Sequence, residues 1–166
     1  MTSNKVLFHL AFPVLDIPST KAFYVDGMGC LAGRESENSI IMGLYGHQLV
    51  AHVINQPAMI SEQTGIYPRH FGLVFHHEKS WMVLLERAQE RRLKFYQKPK
   101  IRFADTPLEH RTFFLSDPSH NILEFKYYRF ESAILGETEY HEIGDRIPIE
   151  EMEKLSSAKQ LGKTRL

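Results

Sequence analysis

A single cysteine, Cys30, among 166 residues excludes an intramolecular disulfide and fits a reducing compartment. Charge of one sign is missing too: 20 Lys and Arg stand against 20 Asp and Glu. That balance removes any electrostatic reason to expect nucleic acid or an anionic membrane as a partner. No apolar run approaches the roughly 20 residues that a spanning helix needs. The start "MTSNKVLFHLAF" lacks the long apolar core of a secretory leader. These absences predict a cytoplasmic protein with no nucleic-acid partner and no membrane partner. The length suffices for one compact core and is short for two.

Histidine is abundant instead, with nine residues, and their positions decide what the excess means. The chain carries the same unit twice. Residues 5–14, "KVLFHLAFPV", read as a strand rich in β-formers. "LDIPSTKAFYVDGMG" follows with helix-start chemistry, Asp16 or Ser19 as cap and Pro18 in the first turn. Strands are then predicted at Cys30–Arg34, Ser39–Leu44 and His47–Ile54. The pattern restarts with the strand "RHFGLVF" (69–75) and the amphipathic helix "EKSWMVLLERAQERRL" (78–93). Strands are predicted again at Lys94–Phe103, His110–Ser116 and Asn121–Tyr128.

A repeat of one supersecondary unit is strong evidence about fold. The expectation is an α+β protein of two tandem βαβββ modules, 5–55 and 69–128, forming one domain over 5–128. Their mixed sheet would curve around a metal site, with Gln56–Pro68 as the link. Residues 129–166 form a C-terminal extension in which "PIEEMEKLSSAKQL" predicts a short helix.

Side chains alternate between the faces of a strand. His9 shares a face with Leu7 and Ala11, His70 with Gly72 and Val74, Glu124 with Ile122, and His52 with Val50 and Gln48. In each strand the opposite face is continuously apolar and suits packing under helices. The polar residues therefore point into whatever the curved sheet encloses. His9 and His70 are equivalent positions of the two repeats. Two imidazoles and a carboxylate in one concavity would make the facial set that suits Fe(II) with open positions; Mn(II), Ni(II), Co(II) and Zn(II) accept the same donors.

The paired units, the "FHLAFPV" start, the "HFGLVF" restart and the "FFLSDPSHNILEF" close resemble the vicinal oxygen chelate superfamily. That superfamily includes glyoxalase I, extradiol ring-cleaving dioxygenases, fosfomycin-resistance enzymes and bleomycin-resistance proteins. "GHQLVAH" (46–52) and "ILEFK" (122–126) look like a bacterial group of extradiol-type dioxygenases or glyoxalase-like proteins. The resemblance covers residues 5–128. It implies that His9, His70 and Glu124 are metal ligands, with Fe(II) favoured and Mn(II), Ni(II) or Zn(II) as alternatives. It puts His52 at the fourth-strand position where glyoxalase I has a glutamate, as a ligand, as the acid–base residue or as a hydrogen-bond partner of bound substrate.

Gln48, Phe12 and Phe114 are expected to line the substrate pocket, with Tyr127 as a further aromatic wall residue. Phe114 departs from the ring-cleaving members, which have a tyrosine ten residues before the glutamate; phenylalanine can donate no proton there. The implied activity is dioxygenation of a small substrate bound through two vicinal oxygens. A glyoxalase-like isomerase with Ni(II) or Zn(II) is the first alternative, and a metal-free small-molecule binding or resistance protein is the second. A homodimer is the expected assembly.

Overall fold

A computed structural model describes residues 6–55 and 62–144. The chain divides into two compact units, Met1–Ile134 and Leu135–Leu166, and the sites discussed below all lie in the first. The helix expected in "PIEEMEKLSSAKQL" lies outside the described residues, as do residues 1–5 and 56–61.

The first module runs β1 (His9–Val14), α1 (Ile17–Lys21), a π-helical continuation (Ala22–Gly27), β2 (Leu31–Ser36), β3 (Ser39–Leu44) and β4 (His47–Val53). The second runs β5 (Phe71–Phe75), α2 (Glu78–Glu90), β6 (Phe95–Arg102), β7 (His110–Ser116) and β8 (Ile122–Tyr128). A short α3 (Ser132–Leu135) follows. Each module makes one four-stranded sheet, in the orders β1-β4-β3-β2 and β5-β8-β7-β6, and no closed barrel forms. In both sheets the first strand lies parallel to the fourth and the remaining pairs are antiparallel. This is the α+β architecture of two tandem βαβββ modules that the repeat predicts. No helix among the described residues is long and apolar enough to cross a membrane.

Local chemistry sets the helix boundaries. The Asp16 carboxylate accepts from the Ser19 amide at 2.7 Å and from its hydroxyl at 2.7 Å, capping α1. At the far end, the carbonyls of Asp26 and Gly27 accept from the Arg87 guanidinium on α2, at 3.0 and 2.8 Å. One cation thus closes the first helix and joins it to the second.

The core is shared by both modules. Phe12, Val14, Ile40, Met42 and Leu49 of the first sheet join Phe75, Phe113, Leu123 and Phe125 of the second, with Trp81, Leu84 and Ala88 of α2 packed on them. Each buried aromatic or aliphatic side chain contributes about 1.5–3 kcal/mol. Trp81 also donates to the Phe125 carbonyl at 2.9 Å, fixing the helix on its sheet. The strand residues among these occupy the apolar faces of the sheets, so the opposite faces turn away from the core.

The β7–β8 turn ties the modules together. Asp117 Oδ1 accepts from the amides of Ser119 and Asn121 at 2.8 and 2.7 Å. Its Oδ2 accepts from the Tyr24 hydroxyl at 2.9 Å and from Asn121 Nδ2 at 2.8 Å. Asn121 Nδ2 also donates to the Pro13 carbonyl, and the Leu15 amide donates to Ser119 Oγ. Replacing Asp117 by alanine strands buried donors on both modules, so Asp117→Ala is expected to cost about 3 kcal/mol of stability. Urea unfolding measures this; a loss below about 1 kcal/mol would show that the turn is not a structural tie.

Candidate functional site

The site grows from the polar face of the second sheet. Strand pairing places three rows of side chains there: Gln97–Phe114–Glu124–Gly72, Lys100–Thr112–Lys126–Val74, and Arg102–His110–Tyr128. Gly72 is required by geometry, because a Cβ at that position would run into the backbone of Glu124 beside it.

Glu124 is 5% exposed, so its carboxylate cannot be satisfied by bulk water. Thr112 Oγ1 donates to Oε1 at 2.8 Å, and Arg102 Nη1 stands 3.5 Å from the same oxygen. Lys126 Nζ lies 3.0 Å from Oε2, and His70 Nε2 lies 3.1 Å from that oxygen. Burial pushes the Glu124 carboxyl up, but the bonds from His70, Lys126 and Thr112 outweigh it and hold the group down at about 2.

The orientation of His70 carries chemical information. Its Nδ1 lies 2.8 Å from the Ile66 carbonyl, which can only accept, so Nδ1 holds a proton. In neutral His70 the lone pair is therefore on Nε2, aimed at a carboxylate oxygen. Two acceptors at 3.1 Å need a proton or a cation between them. Without a cation the proton stays, and the hydrogen bond to Glu124 raises the His70 pKa against the lowering effect of burial. Phe114, wholly buried, sets its ring 5.6 Å from that of His70 and carries the Arg102 guanidinium 5.5 Å from its own centroid.

The donor chemistry fits a divalent ion in part. Ligand bonds of about 2.1 Å put neighbouring donors around a metal about 3 Å apart, close to the His70–Glu124 spacing. The Ile66 carbonyl supplies the outer-shell acceptor that metal-binding histidines use to fix their tautomer. The third expected donor is elsewhere. Among the described residues no group of three or more His, Cys, Asp or Glu side chains gathers to hold a metal.

The chain brings His70, Glu124 and Phe114 together on the second sheet, and puts His9 beside Gln48 on the polar face of the first, with His52 on that face four residues further along β4. His9 Nδ1 lies 2.8 Å from Gln48 Oε1, its paired neighbour, and His52 Nδ1 lies 2.8 Å from Ser39 Oγ. His9 and His52 are exposed. Register also refines the equivalence of the modules: Gly72 pairs with Glu124, whereas Ala11, its counterpart, pairs with Val50. His52 therefore stands one pair further along, at the level of Lys126. Phe12 points to the core, its ring 5.3 Å from those of Tyr24 and Phe71. It still borders a cleft of about 420 Å³ that has His70, Arg69, His120 and Asn121 on its walls.

Sequence reasoning missed Lys126, Arg102 and Thr112. The signal for Lys126 was available, since it lies two residues after Glu124 on the same face. Arg102 carried none, because its nearness to Glu124 depends on pairing across β6, β7 and β8.

No protein-family profile and no curated protein sequence matches the chain. Solved structures do. A glyoxalase/bleomycin resistance protein/dioxygenase from Alicyclobacillus acidocaldarius is 37% identical, with a TM-score of 0.74 over 81% of this chain and 99% of that one. A genomically encoded fosfomycin resistance protein from Listeria monocytogenes shares the fold at 17% identity, with a TM-score of 0.58 over 80% and 99% of the two chains. A lactoylglutathione lyase from Agrobacterium tumefaciens does so at 14% identity and 0.54, over 76% and 96%.

The fold and the 37% relative define a protein of the vicinal oxygen chelate class. The chain belongs to its glyoxalase/bleomycin resistance protein/dioxygenase family, whose members typically bind divalent metals.

The depressed Glu124 pKa has a consequence for acid stability. A carboxyl at about 2 in the folded chain and near 4.5 when unfolded contributes stability that is present above pH 4.5 and lost as pH falls toward 2. Glu124→Gln is expected to show a shallower loss over that window in thermal melts without metal. Identical acid limbs in the two proteins would mean that the carboxylate gains nothing from its partners.

Proposed function

We propose that the chain is a metal-dependent enzyme of the vicinal oxygen chelate type, most consistent with an Fe(II) dioxygenase acting on a small substrate with two adjacent oxygens. The observation that carries the reading is the Nε2 lone pair of His70 held against Glu124 Oε2 at 3.1 Å, with Nδ1 committed to Ile66. His70 and Glu124 would hold the ion. A divalent ion there supplies Lewis-acid polarisation of chelated oxygens and, as Fe(II), the redox chemistry of dioxygenation; Mn(II), Ni(II) and Zn(II) suit the same donors.

The third donor in this proposal is His9 of a second copy, in a homodimer. Its support is that His9 is exposed on the polar face of the first sheet, apart from His70 and Glu124 in its own chain. His52 shares that face with His9 and would arrive with it. Its imidazole can then hold or pass a proton at the bound substrate. Phe114 excludes water beside His70, and its lack of a hydroxyl leaves proton transfer to other groups.

One observation favours a second reading, a metal-free binding protein. Lys126, Arg102 and Thr112 already satisfy the Glu124 carboxylate without an ion.

Metal analysis of anaerobically purified protein separates the readings. About one equivalent of iron per chain in the wild type, lost in Glu124→Ala, supports the dioxygenase, and oxygen uptake with catechol-like substrates follows. Nickel or zinc, with activity that persists without oxygen, moves the assignment to a glyoxalase-like isomerase. No metal after reconstitution leaves the binding protein. Mixing His9→Ala with Glu124→Ala chains tests the dimer. Shared sites would restore metal to about one quarter of all positions, because statistical heterodimers rebuild one site in two. Sites built within one chain would restore none.

A further inference from the structure

Strand β6 departs from regular pairing where it crosses the site face. Phe95 pairs with Leu115 and Gln97 with Phe114, so two steps along β6 meet one along β7. The register shifts again before Lys100 pairs with Thr112. This bulge changes which side chains β6 presents. Phe95 packs in the shared core, its ring 5.8 Å from that of Phe113. Tyr96 turns the other way and packs with Phe114 and Ile122, its hydroxyl accepting from the Gly65 amide at 2.8 Å. Strict alternation would return Gln97 to the core face, but the bulge sets it beside Phe114.

We infer that Gln97 selects the substrate, its amide binding a hydroxyl at the end of the ligand remote from the two chelated oxygens. The inference rests on the metal reading above and adds to it which substrates the site prefers. Gln97 Oε1 is buried without a hydrogen-bond partner. A buried acceptor that lacks a donor costs folding free energy. An apolar side chain of similar size would remove that cost, so the amide contributes nothing to the fold through this oxygen. A ligand that brings the missing donor gains what folding left unmade.

The placing of the amide fits this role. Gln97, Phe114 and Glu124 share one row, so two strand spacings, about 10 Å, separate Gln97 from Glu124. A six-membered ring chelated through two adjacent oxygens at Glu124 is long enough to lie over Phe114 and bring a substituent on its far side to the amide. Phe114 has no polar atom to offer there, so the polar contact falls to its paired neighbour. The amide is neutral, and an ammonium against it would lack a counter-charge. A carboxylate would set lone pair against lone pair at Oε1. A hydroxyl donates to the carbonyl oxygen and keeps its own lone pairs for other donors.

Two catechols that differ by one hydroxyl are the probes, 4-methylcatechol and 4-(hydroxymethyl)catechol. Their binding is measured by anaerobic calorimetry with Mn(II)-loaded wild type, Gln97→Leu and Gln97→Met. Wild type is expected to bind the hydroxymethyl compound about tenfold more tightly than the methyl one, the worth of one hydrogen bond to a buried partner. Both variants are expected to lose that preference with Mn(II) stoichiometry unchanged, a change in ratio that a merely structural residue would not produce. Equal affinities in wild type, or a preference that survives the substitutions, overturns the inference. A wild type that takes up no Mn(II), or takes it up and binds neither catechol, overturns the metal reading instead. Urea unfolding of the metal-free proteins then decides on Gln97. A Gln97→Met midpoint at or above that of wild type supports an amide held for a ligand, and a lower midpoint makes Gln97 structural and overturns the inference.

Discussion

A carboxylate sealed in the β7–β8 turn governs much of what the rest of the molecule can do. Asp117 is 3% exposed and takes four hydrogen bonds, three from its own turn and one from Tyr24 of the other module. Closing the turn this way fixes the register of β7 against β8. That register sets Phe114 opposite Glu124 and Thr112 opposite Lys126. A slip of one residue would send each of these side chains to the other face. Through Asn121 and Ser119 the same turn holds the end of β1, so one buried anion aligns the site and joins the modules.

The second buried carboxylate works in the opposite sense. Asp117 is satisfied by neutral donors and is structural, whereas Glu124 is held by Lys126, Arg102, Thr112 and the Nε2 edge of His70. Low dielectric strengthens each of these interactions and makes any unpaired state costly. The result is a carboxylate whose state depends on the proton of His70 and the ammonium of Lys126 together. A site of this kind differs from a fixed salt bridge in that its partners compete for the same oxygen, Oε2.

Much of the fold was legible because it is written in short-range patterns. Period-two alternation gave His9, His52, His70 and Glu124 their faces, and α1 begins where the cap chemistry of Asp16 puts it. The equivalence of His9 and His70 was legible as well, since the repeat carries it. What the repeat could not convey is that equivalent positions of two modules sit on two different sheets. His9 and His70 occupy matching places on different sheets, and among the described residues they do not gather with Glu124 into one cluster. Pairing matches Glu124 with Val50 and His52 with Lys126, because register is a property of two strands and not of one.

The sequence by itself determined the α+β class, the two βαβββ units and the polar face of each strand, because alternation, capping and turn residues act over a few positions. For Glu124 it left two outcomes open, water or a cation, since a carboxylate among apolar neighbours is too costly to leave bare. Only the tertiary structure decided which cations answer. Arg102 reaches Glu124 across two intervening strand pairings, His70 turns its Nε2 inward because the Ile66 carbonyl holds Nδ1, and Lys126 shares the oxygen that His70 faces. Those contacts join residues distant in the chain, where no local periodicity carries the information.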